Sequence, residues 1–376
     1  MTEKFHLSTD HGTHLERHLY DQRNRDIHTH CRDGDVLRRS IPSFQAISVT
    51  VLIFNCAPPP YTLPHTQEMW WGTLGTVRPF VNFNAEKDAQ VIEAALNTKD
   101  VNTLVRVLTN RNNAQRQTLI NAYHDLTKKD LGTDLKKALS GDMESLLLGL
   151  LMPPVQFDAH RLYQAMKGIG TDEETILEVL CTRSPQQIKD ITATYNQDFG
   201  RDLEKDLISE TSGDFTKLLQ ALLQKENSVG VIDSDELALA TAILDKEADA
   251  APWIRVLTTR DHDYLNKVFC RWESNRGKTA LEAVEQHFRG YGDFQLGLRT
   301  LVRCIQNPTL YLADRIHSMK GAVVRDVMVS HSEEDLLRVR VEYRRLTGTS
   351  LYSTLQREFK GDLQQALLAL CRAEDI

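Results

Sequence analysis

From about residue 70 onward the chain repeats itself four times, and this limits its fold more than any local motif does. Four helical runs end in a similar short marker: Thr109-Asn110-Arg111, Thr182-Arg183, Thr259-Arg260 and Val329-Ser330-His331. Their last residues lie 72, 77 and 71 positions apart. Each marker is followed at once by Asn112, Ser184, Asp261 or Ser332, residue types whose side chains accept from the free amides at a helix start. Ser184 is followed by Pro185 at the first helical position and Gln187 at the third, both favourable there. About 30 residues beyond each marker stands a Gly-Asp pair, at 141–142, 213–214, 292–293 and 361–362. Each pair opens a leucine-rich run: Leu146-Leu147-Leu148, Leu218-Leu219, Leu296 with Leu298, and Leu367-Leu368. A unit of about 70 residues with several helices cannot bury all its apolar faces alone, so the four must pack on each other. Period-2 alternation is scarce, and the fold predicted is an all-α array with almost no sheet.

A length of 376 residues suits two domains or one such array. The net charge of −7 and the absence of a dense Lys/Arg block argue against nucleic acid as a partner. An anionic membrane repels such a surface unless something positive intervenes. Met1 to Asp10 is polar and shows no secretory pattern, and the apolar run Ile47–Phe54 is far short of the roughly 20 residues that span a bilayer. Six scattered cysteines without a C-x-x-C pair predict a reduced, cytosolic protein rather than a disulfide framework.

Residues 1–70 differ from the rest. They hold seven of the 13 histidines, the Pro58-Pro59-Pro60 run and no sustained helical period, which predicts a disordered N-terminal tail, with the apolar run at 47–54 a candidate anchor for a protein partner. His28-Thr29-His30-Cys31 has no second ligand pair at zinc spacing, so a His-rich tail explains it more simply than a metal site.

The second repeat carries the most informative local stretch, Ala165-Met166-Lys167-Gly168-Ile169-Gly170-Thr171-Asp172-Glu173-Glu174. It reads as helix, glycine loop, helix. Gly168 and Gly170 can take angles closed to other residues, so the chain can turn back and aim several carbonyls at one point. Thr171 and Glu174 have the spacing of a capping box, and Ile176, Leu177, Val179 and Leu180 supply a buried stripe. Converging carbonyls are half of a hard-cation site; the other half is a carboxylate from elsewhere.

Four helical repeats, one with Met166-Lys167-Gly168-x-Gly170-Thr171-Asp172 and a later Glu210-Thr211-Ser212-Gly213-Asp214, resemble the annexin family. The lead-in Trp71-Gly72-Thr73-Leu74-Gly75-Thr76-Val77-Arg78 and the tail Leu368-Ala369-Leu370-Cys371 fit the same family. The resemblance covers roughly 70–376 and implies four five-helix repeats in a curved disc, divided here as lead-in 71–86 and repeats 87–155, 156–230, 231–310 and 311–376. It further implies a Ca2+ site on the convex face that docks on acidic phospholipid. In repeat two that mapping makes Met166, Gly168 and Gly170 carbonyl donors and Glu210, 40 residues after Gly170, the carboxylate. Three carbonyls and one bidentate carboxylate give about five oxygens where calcium takes 6–8, which leaves room for water and then a lipid phosphate.

The other repeats depart from this pattern. Repeat one reads Leu96-Asn97-Thr98-Lys99-Asp100 at its loop, without glycines, and Ala138 at the acid position. Repeat three has the acidic run Leu244–Pro252 at its loop, read as solvated, and Arg289 at the acid position. Repeat four keeps Met319, Gly321 and Glu358 as a weaker candidate set, but runs straight from Ala322 into Val323-Val324 and lacks the second glycine. Its His331, in place of an arginine, predicts relaxed packing. Glu144 and Glu173 read as solvated surface rather than secondary ligands. By the same resemblance Asp158, Glu178 and Arg183 belong to a structural polar network between repeats, and Asp326 stands where the family often has arginine.

Two functions follow. The first is calcium-dependent binding to acidic phospholipid through repeat two, with reduced calcium sensitivity because linked sites have been lost. The second is a calcium-independent interaction scaffold that keeps the fold. Either implies a cytoplasmic protein, peripheral on the inner face of the plasma membrane or on vesicles. An enzyme is not expected: no nucleophile elbow, P-loop or HExxH occurs, and Gly168-x-Gly170 lacks the third glycine of a dinucleotide fingerprint.

Overall fold

The computed structural model describes residues 74–225 and 249–372. They form 19 α-helices and no strand, as the repeat pattern predicts. The tail of residues 1–70, with His28–Cys31 and the run at 47–54, and Leu244–Ala248 of repeat three lie outside the described residues.

Repeat one consists of α1 (Ala85–Thr98), α2 (Val101–Leu108), α3 (Asn113–Thr127), α4 (Leu131–Ala138) and α5 (Gly141–Leu151). Repeat two follows with α6 (Pro154–Ala165), α7 (Glu173–Thr182), α8 (Pro185–Phe199), α9 (Leu203–Glu210) and α10 (Gly213–Leu223). Repeat three contributes α11 (Ala250–Thr259), α12 (His262–Arg276), α13 (Ala280–His287) and α14 (Gly292–Gln306). Repeat four is α15 (Pro308–His317), α16 (Gly321–His331), α17 (Leu336–Thr347), α18 (Leu351–Glu358) and α19 (Gly361–Cys371), so repeats one, two and four each open two or three residues before the boundary expected from sequence.

The punctuation is the same in every repeat. The long third helix closes on a left-handed residue, Lys128, Gly200, Gly277 or Gly348, which satisfies the last carbonyls. Two residues later Asp130, Asp202, Thr279 or Ser350 caps the next helix with its side chain. The Gly-Asp glycines open each final helix at φ of 62°, 65°, 53° and 65°, a region that favours glycine. The leucines behind them form the core: Leu146, Leu147, Leu218, Leu219, Leu298 and Leu367 are fully buried, each contributing about 1.5–3 kcal/mol.

Asn112, Ser184 and Asp261 cap their helices as expected, the first two in capping boxes with Gln115 and Gln187. Ser332 does not. Its hydroxyl donates to Val329 O at the end of α16, and α17 begins only at Leu336. The lead-in has claimed this turn. Val77 N donates to Ser332 O at 2.9 Å and Leu337 N to Leu74 O at 2.8 Å. Gly75 lies so close to Glu333 that an added Cβ would sit 2.4 Å from its carbonyl carbon. His331 is 2% exposed and hydrogen-bonds through Nδ1 to Asp335 Oδ1 at 2.8 Å, so the relaxed packing expected around it is absent.

Helices α2 and α5 pack on α19 and α16, joining repeats one and four, while α7 and α10 pack on α14, joining two and three. On α14, Gly297 permits that approach: a Cβ there would fall 2.6 Å from the Leu218 side chain. Between the two pairs α6 meets α16, and the contact is charged. Arg183 Nε donates to Asp158 Oδ2 at 2.7 Å, and Ser330 Oγ donates to Asp158 Oδ1 at 2.8 Å. Glu178, fully buried, accepts from Arg161 Nη2 at 2.6 Å and from Arg315 Nε at 3.1 Å. Burial pushes both carboxyls upward, yet the neighbouring guanidiniums outweigh it and hold both below the usual range. The predicted network is therefore present, and Arg161, Arg315, Ser330 and Glu334 complete it. Asp326, the position where the resemblance favours arginine, accepts instead from Arg325 at 2.7 Å.

Candidate functional site

In repeat two, seven residues, 166–172, join α6 to α7. Met166 caps α6 with its side chain in the core, 8% exposed. Gly168 and Gly170 take φ of 108° and 89°, and a Cβ on either would touch nothing within 4 Å. Glycine is needed there for conformation, not for space. Ile169 between them is fully exposed, and Asp172 N donates back to Ala165 O at 2.8 Å to close the loop.

The cap of α7 is Asp172, whose carboxylate accepts from Thr175 N at 3.0 Å. The expected Thr171–Glu174 capping box is not formed. Thr171 instead turns its hydroxyl to the carbonyl of Glu210, at 3.5 Å, and Glu174 pairs with Arg315 of repeat four. Thr171 thus ties the end of α9 to the glycine loop and brings the Glu210 main chain beside it. The Glu210 side chain is exposed and, among the described residues, has no ion-pair partner. The carbonyls of Met166, Gly168 and Gly170 likewise accept no hydrogen bond from the described residues.

This donor set fits a hard cation. Main-chain carbonyls without partners and a carboxylate without a counter-ion are the oxygen ligands calcium takes. Among the described residues no three His, Cys, Asp or Glu side chains cluster, so a cation held at this loop relies chiefly on main-chain oxygen.

The equivalent places in the other repeats look different. In repeat one only Lys99 and Asp100 separate α1 from α2, and Asp100 is occupied as a cap, accepting from Thr103 N at 3.1 Å. Its acid position is Ala138, the last residue of α4. In repeat three Asp249 caps α11, and Arg289, read from sequence at the acid position, lies exposed in the turn after α13, two residues past its last residue His287. In repeat four three residues, Ser318 to Lys320, link α15 to α16. Met319 takes the left-handed turn at φ 50°, and Gly321 does not. Glu358 Oε1 accepts from Arg357 Nε at 2.7 Å, so its carboxylate already has a cation beside it.

Arg161 could have been found from sequence, since it lies one turn after Asp158 on the same face of α6. Arg315, about 140 residues from Glu178, gives no such signal.

An annexin family model matches residues 87–150, 157–222 and 314–370. Over 321 residues the chain is 39% identical to Annexin A9 of Mus musculus, covering 81% of this chain and 92% of that protein. Among solved structures, annexin III superposes with a TM-score of 0.77 at 33% identity, over 82% of this chain and 99% of that one. Chicken annexin V superposes with a TM-score of 0.76 at 35% identity, over 80% of this chain and 99% of that one.

Proposed function

The chain belongs to the annexin family, whose general property is calcium-dependent phospholipid binding, and from that premise we propose that it binds acidic membranes through repeat two with reduced calcium sensitivity. The observation that carries this reading is the pairing of unbonded loop carbonyls with the unpaired Glu210, tied together by Thr171. The Met166, Gly168 and Gly170 carbonyls and the Glu210 carboxylate would hold Ca2+. When bound, the ion supplies positive charge and open coordination positions for a lipid phosphate, on a chain whose net charge of −7 would otherwise be repelled.

The residues around it have definite tasks. The glycines fix the direction of the carbonyls, and Asp172 closes the loop from below. Thr171 keeps Glu210 in register, and Ile169 offers an exposed apolar tip to the headgroup region. One carboxylate leaves about one positive charge for the lipid, which places calcium affinity without membrane near the 10⁻⁴–10⁻³ M end of known sites. With repeats one and three lacking the acid and repeat four engaging it with Arg357, the avidity of linked sites is lost and more calcium is needed.

This is a binding function, not a catalytic one. Attachment is peripheral, in the cytoplasm at the plasma membrane or on vesicles; no described helix is long and apolar enough to cross a membrane. A protein partner for residues 1–70 belongs to the same reading and rests on the apolar run at 47–54 and on the family resemblance. The second reading, a calcium-independent scaffold, draws on the altered loops of repeats one, three and four. Co-sedimentation with phosphatidylserine vesicles across a calcium titration separates the two. The first reading expects calcium-dependent pelleting whose midpoint rises about tenfold or more in Glu210→Gln, because ligand charge sets calcium affinity over decades. No calcium-dependent pelleting of the wild type would leave the scaffold.

A further inference from the structure

Counted back three residues from the glycine that opens each last helix, the sequence reads Ala138, Glu210, Arg289 and Glu358. That glycine takes φ between 53° and 65° in all four. In repeats one, two and four the residue three before it is the last of the preceding helix; α13 ends earlier, at His287, and Arg289 stands within a longer turn, 288–291. Where repeat two ends its helix on a carboxylate, repeat three carries a guanidinium in the turn that leads to its last helix. A guanidinium there repels a calcium ion, and it attracts directly the phosphate that a calcium ion would have attracted.

The surroundings favour that use. Arg289 is exposed and, among the described residues, makes no ion pair. Two positions on, Tyr291 is 48% exposed, and its ring stands edge-on to Phe288 at 5.5 Å. Phe288 is fully buried and makes the same kind of contact with Trp253 at 5.3 Å and with Phe294 at 5.2 Å. The inner edge of the tyrosine thus rests on a rigid aromatic cluster while the rest faces solvent. Gly290, at φ 88°, donates its N–H to Gln295 Oε1 at 3.2 Å, which fixes the turn. Asp293 lies nearby, in the first turn of α14, where it favours the positive end of the helix dipole.

We propose that Arg289 and Tyr291 form a calcium-independent contact with acidic phospholipid. The guanidinium takes the lipid phosphate through two parallel N–H bonds, and the amphipathic tyrosine ring sits at headgroup level. The inference rests on the reading that these turns face the membrane, but not on calcium binding in repeat two.

The test is sedimentation of the full-length chain with phosphatidylserine-containing vesicles in EGTA at low ionic strength, with phosphatidylcholine vesicles as the neutral comparison. The wild type is expected to pellet with the acidic vesicles alone and to be released by added salt. Arg289→Glu should weaken the partition by about 30-fold, roughly fivefold for each of the two unit charges changed. Tyr291→Ala should weaken it as well, and Tyr291→Trp should restore it. Arg345→Glu on α17 changes the net charge equally at another exposed position and should leave binding unchanged. No pelleting in EGTA, an unaltered Arg289→Glu, or an equal loss in Arg345→Glu overturns the proposal. Glu210→Gln separates it from the calcium reading: it should keep the EGTA binding while losing the calcium-dependent part. Loss of the calcium-dependent part together with indifference to Arg289→Glu leaves repeat two standing and removes this contact.

Discussion

Glu178→Gln isolates the charge that holds the repeats together, because the amide keeps the shape of the side chain and removes only its ionisation. Glu178 is fully buried between Arg161 and Arg315, whose side chains are 5% and 12% exposed. The variant leaves two guanidiniums facing a neutral group, and removing one partner from a buried ion pair costs about 3–5 kcal/mol. Each kcal/mol corresponds to about 1.6 °C in an array of about 300 residues, so the melting temperature should fall by about 5–8 °C at pH 7. The pH dependence follows from the same contacts. Burial raises the Glu178 pKa, but the two arginines outweigh it and hold it below 4.5. Its ionised form therefore stabilises the fold above the unfolded value near 4.5, and that stability is lost as pH falls through the lower folded value. The gap between wild type and variant should be full at neutral pH and narrow below about pH 4.5. Calorimetry across pH measures it. A variant within about 1 kcal/mol of wild type at pH 7, or a gap that does not change with pH, would refute the reasoning.

Lys128 closes α3 at φ 57°, where the other repeats have glycine, so Lys128→Gly should stabilise the protein by about 0.5–1 kcal/mol, read as a small rise in melting temperature. Burial, reinforced by Lys225 at 2.6 Å, lowers the His262 pKa to about 4 from 6.5. The unfolded chain binds the extra proton first, so stability should fall by up to about 3 kcal/mol as pH drops from 6.5 to 4, and denaturant titrations should show that slope removed in His262→Gln.

The four repeats were legible because each is built from the same local signals: a side-chain cap, a left-handed closing residue and a glycine opening the last helix. The caps at Asn112, Ser184 and Asp261 needed nothing beyond their neighbours. Readings failed where a distant segment competed for the same atoms. Ser332 lost its role to the lead-in through Val77, and Thr171 turned to Glu210 and left the cap to Asp172. Glu174 found Arg315 in another repeat. His331 looked like a loosened position because Asp335, its partner, is not part of the repeated marker. The glycine loop was readable as a turn from Gly168 and Gly170. The freedom of its carbonyls was not, since that depends on which amides approach them in three dimensions.

The account turns on whether repeat two holds the ion, and a crystal grown in calcium with anomalous diffraction measured from it answers this most directly. The account predicts one strong calcium peak ligated by the carbonyls of Met166, Gly168 and Gly170 and the carboxylate of Glu210, with water completing the shell and no peak at Arg289. An empty repeat-two loop at millimolar calcium, or an ion there whose ligands exclude Glu210, would contradict it.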